Sequence, residues 1–302
     1  MSARSYRLMA RESPSEGIRR IALGRAEKAI EELDRAGDGD GSADAIHAAR
    51  KDLKKLRAVV RLVRTELGQD LYRAENRRYR DAGRLLARSR DAEVKVETLN
   101  ALRESFGEEL SAEMVAAWLA ELERERDEIA KRVADEPDGS HVAEAKAAIE
   151  VGREKIVDWR LRDDSWQLVG SGLRRSYRDG RRAMQRTRAE PTTENVHEWR
   201  KRTKDLWYQL RILREAWRPV LGETAEQAHE LTDLLGKHHD LALLTEDLED
   251  REPTGDLGAA ADAIERRRQE LLDDAGDIGA RLYAEKPKAF AKRMKSYWQV
   301  WR

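Results

Sequence analysis

Residues 196–214 read VHEWRKRTKDLWYQLRILR, with His197 near the head, six Lys or Arg, and only two acids, Glu198 and Asp205. Each residue of a helix turns by about 100°. Arg200, Lys201, Lys204 and Arg211 therefore fall within roughly 60° of His197 on either side. Trp199, Leu206, Leu210 and Leu213 fall roughly opposite. Such a helix is apolar on one side and almost purely cationic on the other. A solvated face normally alternates sign and gains i,i+4 pairs, whereas this row repels itself and calls for an anion. From His197 to Arg211 the row runs about 21 Å at 1.5 Å per residue. That is too long for one phosphate and suits a linear polyanion. Arg offers planar, bidentate contacts to phosphate oxygens and Lys a mobile point charge.

The stretch has a partner about 150 residues earlier, IHAARKDLKKLRAVVRLVR, Ile46 to Arg64. Both read apolar-H-x-x-R-K-x-x-K, so that His47, Arg50, Lys51 and Lys54 match His197, Arg200, Lys201 and Lys204. Further along, Arg61 matches Arg211 and Arg64 matches Arg214. In the first copy His47, Arg50, Lys51, Lys54 and Arg61 share one face, and Ala49, Leu56, Val60 and Val63 the other. A second pair follows each, GRLLARSRDAEVKVETL from Gly83 and DLLGKHHDLALLTEDL from Asp233. There Leu85-Leu86 matches Leu234-Leu235, Arg88 matches Lys237 and Asp91 matches Asp240. A fainter pair, GIRR from Gly17 and GLRR from Gly172, precedes each. Order and spacing hold across all three pairs, so the chain reads as a duplication. The expected architecture is all-α: two antiparallel four-helix-bundle-like halves, 1–162 and 163–302, facing one another about a pseudo-twofold axis. Boundary signals are Gly37 to Gly41, 136–140 (EPDGS) and 162–165 (RDDS), the last dividing the copies.

Composition supports this reading. Apolar residues recur at helical spacing, alternating β-branched runs are absent, and only six Pro and 19 Gly punctuate 302 residues. The absence of cysteine excludes disulfides and thiolate zinc sites. No stretch approaches the roughly 20 apolar residues of a membrane span. The N-terminus, MSARSYRLMARESPSEG, lacks the apolar core of a signal peptide. A cytoplasmic protein that does not enter membranes is the expectation. Overall charge is misleading, because 59 basic and 59 acidic side chains cancel only in sum. Residues 47–64 carry seven Lys or Arg against Asp52 alone, while 121–136 hold seven acids and 246–256 six. An internal salt-bridge network between these acidic stretches and the basic rows is the structural alternative to an external anion.

The twice-occurring H-x-x-R-K-x-x-K helix, followed by L-x-x-R-D and L-L-G-K-x-H-D, resembles the CHAD family, the conserved histidine α-helical domain. The resemblance covers about residues 10 to 302. It implies two four-helix bundles related by pseudo-twofold symmetry. It also implies non-catalytic binding of inorganic polyphosphate in a basic channel between them, and association with polyphosphate granules. By position the binding residues are His47, Arg50, Lys51, Lys54, His197, Arg200, Lys201 and Lys204, with Arg61 and Arg211 on the same faces. Basic residues of the first helices (Arg20, Arg174, Arg178, Arg181) and of the third segments (Arg84, Arg88, Lys237, His238) are secondary candidates. Two departures stand out. The segment Arg174 to Arg188 is rich in Arg, whereas Leu23 and Glu27 interrupt its first-copy counterpart. The E-x-E-x-K strand of an accompanying triphosphatase tunnel domain is absent, so that activity is not carried over. No cofactor is implied, and the oligomeric state stays open.

Other residues weigh less. His47 and His197 as metal ligands are disfavoured, because their i+3, i+4 and i+7 neighbours are cations; donation to phosphate fits better, with the bound anion raising their pKa. His238-His239-Asp240 looks like the HD pair of metal phosphohydrolases. Its counterpart, Ser89-Arg90-Asp91, keeps only the Asp, which reads as a helix N-cap. His141 and His229 read as isolated surface residues. Trp199 reads as core, Trp298 and Trp301 dock the last helix, and Trp207 and Tyr208 border the basic face, Tyr208 within reach of ligand. Besides polyphosphate binding, a nucleic-acid binder and a metal-dependent phosphohydrolase are carried as alternatives. The first lacks a recognised motif and has a pI near 7. The second lacks an assembled acidic ligand set.

Overall fold

The computed structural model describes residues 4–37, 42–87, 90–107, 109–134, 140–249 and 255–302. Among them every regular element is a helix, and none is long and apolar enough to cross a membrane. The first half of the chain comprises α1 (Pro14–Gly37), α2 (Ser42–Leu62), a single turn α3 (Arg64–Leu67), α4 (Gln69–Leu85), α5 (Arg90–Phe106), α6 (Ala112–Ala134) and α7 (Ser140–Val157). The second comprises α8 (Gln167–Ala189), α9 (Thr193–Leu213), α10 (Arg218–Glu249), α11 (Gly255–Leu282) and α12 (Pro287–Trp301). A non-helical stretch, 158–166, joins them. Arg19 of α1 holds it by donating to the carbonyls of Trp159 (2.9 Å) and Leu161 (3.3 Å).

Helices α1, α2, α4 and α7 pack as one group, and α8, α9, α10 and α11 as another, with α12 laid on α8. The two groups share one core. A continuous buried cluster runs from Leu8 through Leu56, Val60 and Tyr79 to Trp199, Leu210, Tyr283 and Trp298. A second, smaller core lies apart, formed by α5 and α6 with the end of α10 and the start of α11, around Leu99, Trp118, Leu122, Leu244 and Ile264. Here Asp247 of α10 accepts from the Trp118 indole (2.6 Å) and from Lys95 (3.2 Å). This member of the acidic stretch 246–256 thus pairs inside the second lobe, and Glu125 of the stretch 121–136 also lies by Lys95 (3.5 Å).

The third segments differ between copies. The first is interrupted between α4 and α5, near Asp91, whose side chain lies outside the described residues, as do residues 38–41 of the Gly37 to Gly41 boundary and Arg88. In the second, α10 runs unbroken from Arg218 to Glu249. Asp240 is therefore interior to a helix and is not an N-cap, because the buried face of α10 carries on past it from Leu235 and His238 to Leu241 and Ala242.

Candidate anion-binding site

The motif helices are fixed by what they bury. Thr192 caps α9, its hydroxyl accepting from the Asn195 N–H at 3.2 Å. The expected apolar face is fully internal: Trp199, Leu206, Leu210 and Leu213 are each at most 1% exposed. The Trp199 ring lies on α11 where Gly279 leaves room; an added Cβ would meet it at 2.5 Å. On α2, Ala49, Leu56, Val60 and Val63, which follows the helix, are likewise buried. Burial at these positions turns the cationic faces outward, and α2 and α9 then meet through their C-terminal halves. Gln209 donates to the Ala58 carbonyl (3.3 Å) and Arg61 pairs with Asp205 (2.7 Å).

Around this contact the cations of the two copies reach one another. His47, Lys51, Lys54 and Lys201 are exposed, and Arg50, His197, Arg200 and Lys204 half-buried. Lys54 is open to water yet hemmed by protein. That enclosure, then Lys204, Arg50, Arg200 and Arg57, lowers its ammonium to about 7. Enclosure and Arg200, with Lys51 beyond, bring Lys204 to about 8, against the pull of Asp233 and Asp240. The Arg200 guanidinium lies on α10 over Gly236, where an added Cβ would meet its nitrogens at 3.1–3.2 Å. The buried Arg200 Nε has no hydrogen-bond partner among the described residues. Lys201, by contrast, pairs with Glu198 (2.8 Å), so the row is partly neutralised.

His197 is held neutral: burial, then His239, Lys201 and Arg200, bring it down to about 4. Its ring stands 4.5 Å from that of His239. Of the neighbouring pair on α10, it is His239, not His238, that faces α9. His238, proposed as a binding residue, is 3% exposed and points away, lowered to about 4 by burial and Arg268. Only α10's continuing through Asp240 sets which of the two faces α9.

Other candidates are also placed elsewhere. Tyr208 is 2% exposed, a core residue against Trp207 and Tyr6, because α9 is covered there by the N-terminal segment. Trp207 is buried with it, its ring 4.0 Å from that of His229. His229 is thus not isolated, and it lies 3.0 Å from Asp233. His141 is buried at the start of α7 rather than on the surface. Arg20 is tied to the N-terminal segment, donating to Glu12 (2.7 and 2.8 Å) and to the carbonyls of Ser5 and Arg7 (both 2.8 Å). Arg211 lies over the rings of Tyr6 (5.8 Å) and Trp207 (5.4 Å). Arg178 pairs with Asp179 (2.8 Å), Arg181 donates to the Tyr283 carbonyl (3.1 Å), and Arg84 stands 3.9 Å from Asp81. Arg174 and Lys237 are exposed.

The sequence reading passed over Arg57, Arg175 and Arg202. Arg57 falls about 80° from His47 on a helical projection, just off the chosen face, yet continues the row from Lys54 toward Arg61. Burial, then Arg61, lowers it to about 10. Arg175 sits three residues after Gly172, whose missing side chain brings α8 onto α2, so it shares the contacting face. Among the described residues no cluster of three or more His, Cys, Asp or Glu is arranged to hold a metal.

The family model for the CHAD domain matches residues 22–249. The fold is similar to that of PptA from Streptomyces chartreusis, with a TM-score of 0.62 at 12% identity, over 91% of this chain and all of that one. It is similar too to the CHAD domain from the plant Ricinus communis, with a TM-score of 0.58 at 18% identity, over 94% of this chain and 96% of that one. No curated protein matches the sequence. With the model spanning most of the chain and both motif helices inside that span, the chain belongs to the CHAD family.

Proposed function

We propose that the chain binds inorganic polyphosphate, without catalysing its turnover, along a basic groove where the two copies face one another about a pseudo-twofold axis. His47, Arg50, Lys51 and Lys54 of α2 form one wall and His197, Arg200, Lys201 and Lys204 of α9 the other. One observation carries the reading. Cations of both rows lie within electrostatic reach of each other, and Lys54 has no carboxylate partner among the described residues. Such crowding lowers stability unless an anion relieves it. A polyanion with one charge per phosphorus matches a row of closely spaced cations. By this reading the protein gathers on cytoplasmic polyphosphate granules.

The test is calorimetric titration with long-chain polyphosphate at two salt concentrations. Wild type is compared with Arg50→Glu/Lys54→Glu/Arg200→Glu/Lys204→Glu, and DNA of matched charge is the control. Wild type binds polyphosphate more tightly than DNA, and its affinity falls as salt rises, through counterion release. The variant, still helical by circular dichroism, loses more than about a hundredfold. Equal binding by the variant, or none by wild type, overturns the proposal.

A further inference from the structure

Where α2 ends, the row of cations runs into a small enclosed space. A cavity of about 60 Å³ is walled by Arg61 of α2, Arg64 of α3, Tyr72 of α4, Arg175, Ser176 and Asp179 of α8, and Arg202 and Asp205 of α9. Four guanidinium groups meet two carboxylates, so the wall carries excess positive charge. Asp205 is engaged by Arg61 (2.7 Å), Asp179 by Arg178 (2.8 Å), and Arg202 by Glu198 (2.6 Å). Arg64 lies over the Tyr72 ring (4.3 Å) and donates to Gln69 (2.8 Å). Arg175 is half-buried and has no carboxylate partner among the described residues. The volume holds roughly four water-sized groups, the number of oxygens around one phosphorus.

We infer that this cavity binds a single terminal phosphate group, gripped by Arg64 and Arg175, with Arg202 (held by Glu198) and the Tyr72 and Ser176 hydroxyls beside it. Two sources share that chemistry: free orthophosphate, and the end of a polyphosphate chain lying in the groove. The chain-end source rests on the polyphosphate reading above; the orthophosphate source does not. An end group carries a second ionisable oxygen that interior phosphates lack, and a compact nest of Arg discriminates for that extra charge. Arg57, between Lys54 and Arg61 on α2, connects groove and cavity.

The experiment titrates the full chain with orthophosphate, linear tripolyphosphate, cyclic trimetaphosphate and long-chain polyphosphate. The cyclic and linear trimers hold the same number of phosphorus atoms, but only the linear one has ends. Tripolyphosphate binds more tightly than trimetaphosphate, and Arg175→Ala weakens tripolyphosphate about tenfold, with less than about a twofold effect on trimetaphosphate. Lys54→Ala weakens both trimers alike. Asp179→Asn, which removes a negative charge from the wall, strengthens tripolyphosphate, an effect opposite in sign to damage of the fold. Orthophosphate binding lost in Arg175→Ala supports the free-phosphate source; a response confined to tripolyphosphate supports the chain end. If Arg175→Ala and Asp179→Asn leave tripolyphosphate and orthophosphate unchanged while long chains bind, the cavity inference falls and the groove stands. If long chains fail to bind but an Arg175-dependent small phosphate persists, the groove reading falls and the cavity stands. If nothing binds, both fall.

Discussion

The helices α2 and α9 carry the same motif, yet their far ends meet opposite surroundings. Beyond Arg61 the chain leaves an arginine-walled cavity closed at the back by Asp205. Beyond Arg211, the matching residue, the space is filled by the chain's own N-terminal segment. Tyr6 sits under Arg211 and donates to the Lys55 carbonyl (3.1 Å), and the Leu8 N–H donates to Ile212 (2.9 Å). Lys55 occupies in α2 the place that Asp205 holds in α9, and it turns to Asp52 (2.9 Å). The motif's spacing thus preserves a helix and its cationic face. What lies at the end of that face depends on single residues and on segments outside the repeat.

The largest expected difference lies at the paired glycines. A Cβ on Gly172 would collide with the Leu62 carbonyl, which is backbone, whereas one on Gly17 would meet the Leu8 and Glu12 side chains, which can move. Gly172→Ala should cost about 3 kcal/mol and Gly17→Ala about 1 kcal/mol, read from urea denaturation; equal costs would remove the asymmetry. Next is the acid at the cavity. Asp205→Asn should cost about 2 kcal/mol, because Arg61 and Arg202 lose their shared partner (2.7 and 3.9 Å) in a mostly buried site. Thermal unfolding of this variant beside Lys55→Gln, expected to lose about 1 kcal/mol, measures what the substituted position is worth.

Acid tests the histidine side of the comparison. His197 and His238 have folded values of about 4, below the ordinary imidazole range. Lowered values mean the unfolded chain binds more protons, so their contribution is complete above about pH 6.5 and is lost as pH falls toward 4. The melting temperature should drop over that window, and the drop should shrink in His238→Gln; a flat profile in wild type would contradict the burial argument. The smallest effect belongs to the lysines. Lys54 and Lys204, at about 7 and 8, gain protons when a polyanion binds. Affinity should therefore rise severalfold from pH 9 to 6.5, with proton uptake visible as a buffer-dependent enthalpy. Lys54→Arg should reduce that uptake.

The helical fold and the two cationic faces were legible because they depend on spacing alone. Trp199, Leu206 and Leu210 had to turn inward once the segment was a helix, and His197 and Lys204 had to turn outward. The fate of Tyr208 was not legible, since nothing in its local pattern says that Tyr6, some 200 residues away, covers it. Nor was the choice between His238 and His239, which depends on α10 continuing where α4 and α5 are interrupted. Arg20 and Arg175 stand at matching places after their glycines. One is bound by the N-terminal segment and the other faces a cavity, a difference set by tertiary contact.

That segment also bears on where this protein can be cut. The span that matches the family, 22–249, omits Tyr6, Leu8 and all of α11 and α12. Without them the Ile212 carbonyl loses its donor, Trp199 loses the surface at Gly279, and Thr203 loses the Tyr283 hydroxyl at 3.0 Å. The stretch by which the family is recognised is therefore shorter than the stretch that folds, and a fragment trimmed to it should expose the underside of the helix that carries the motif.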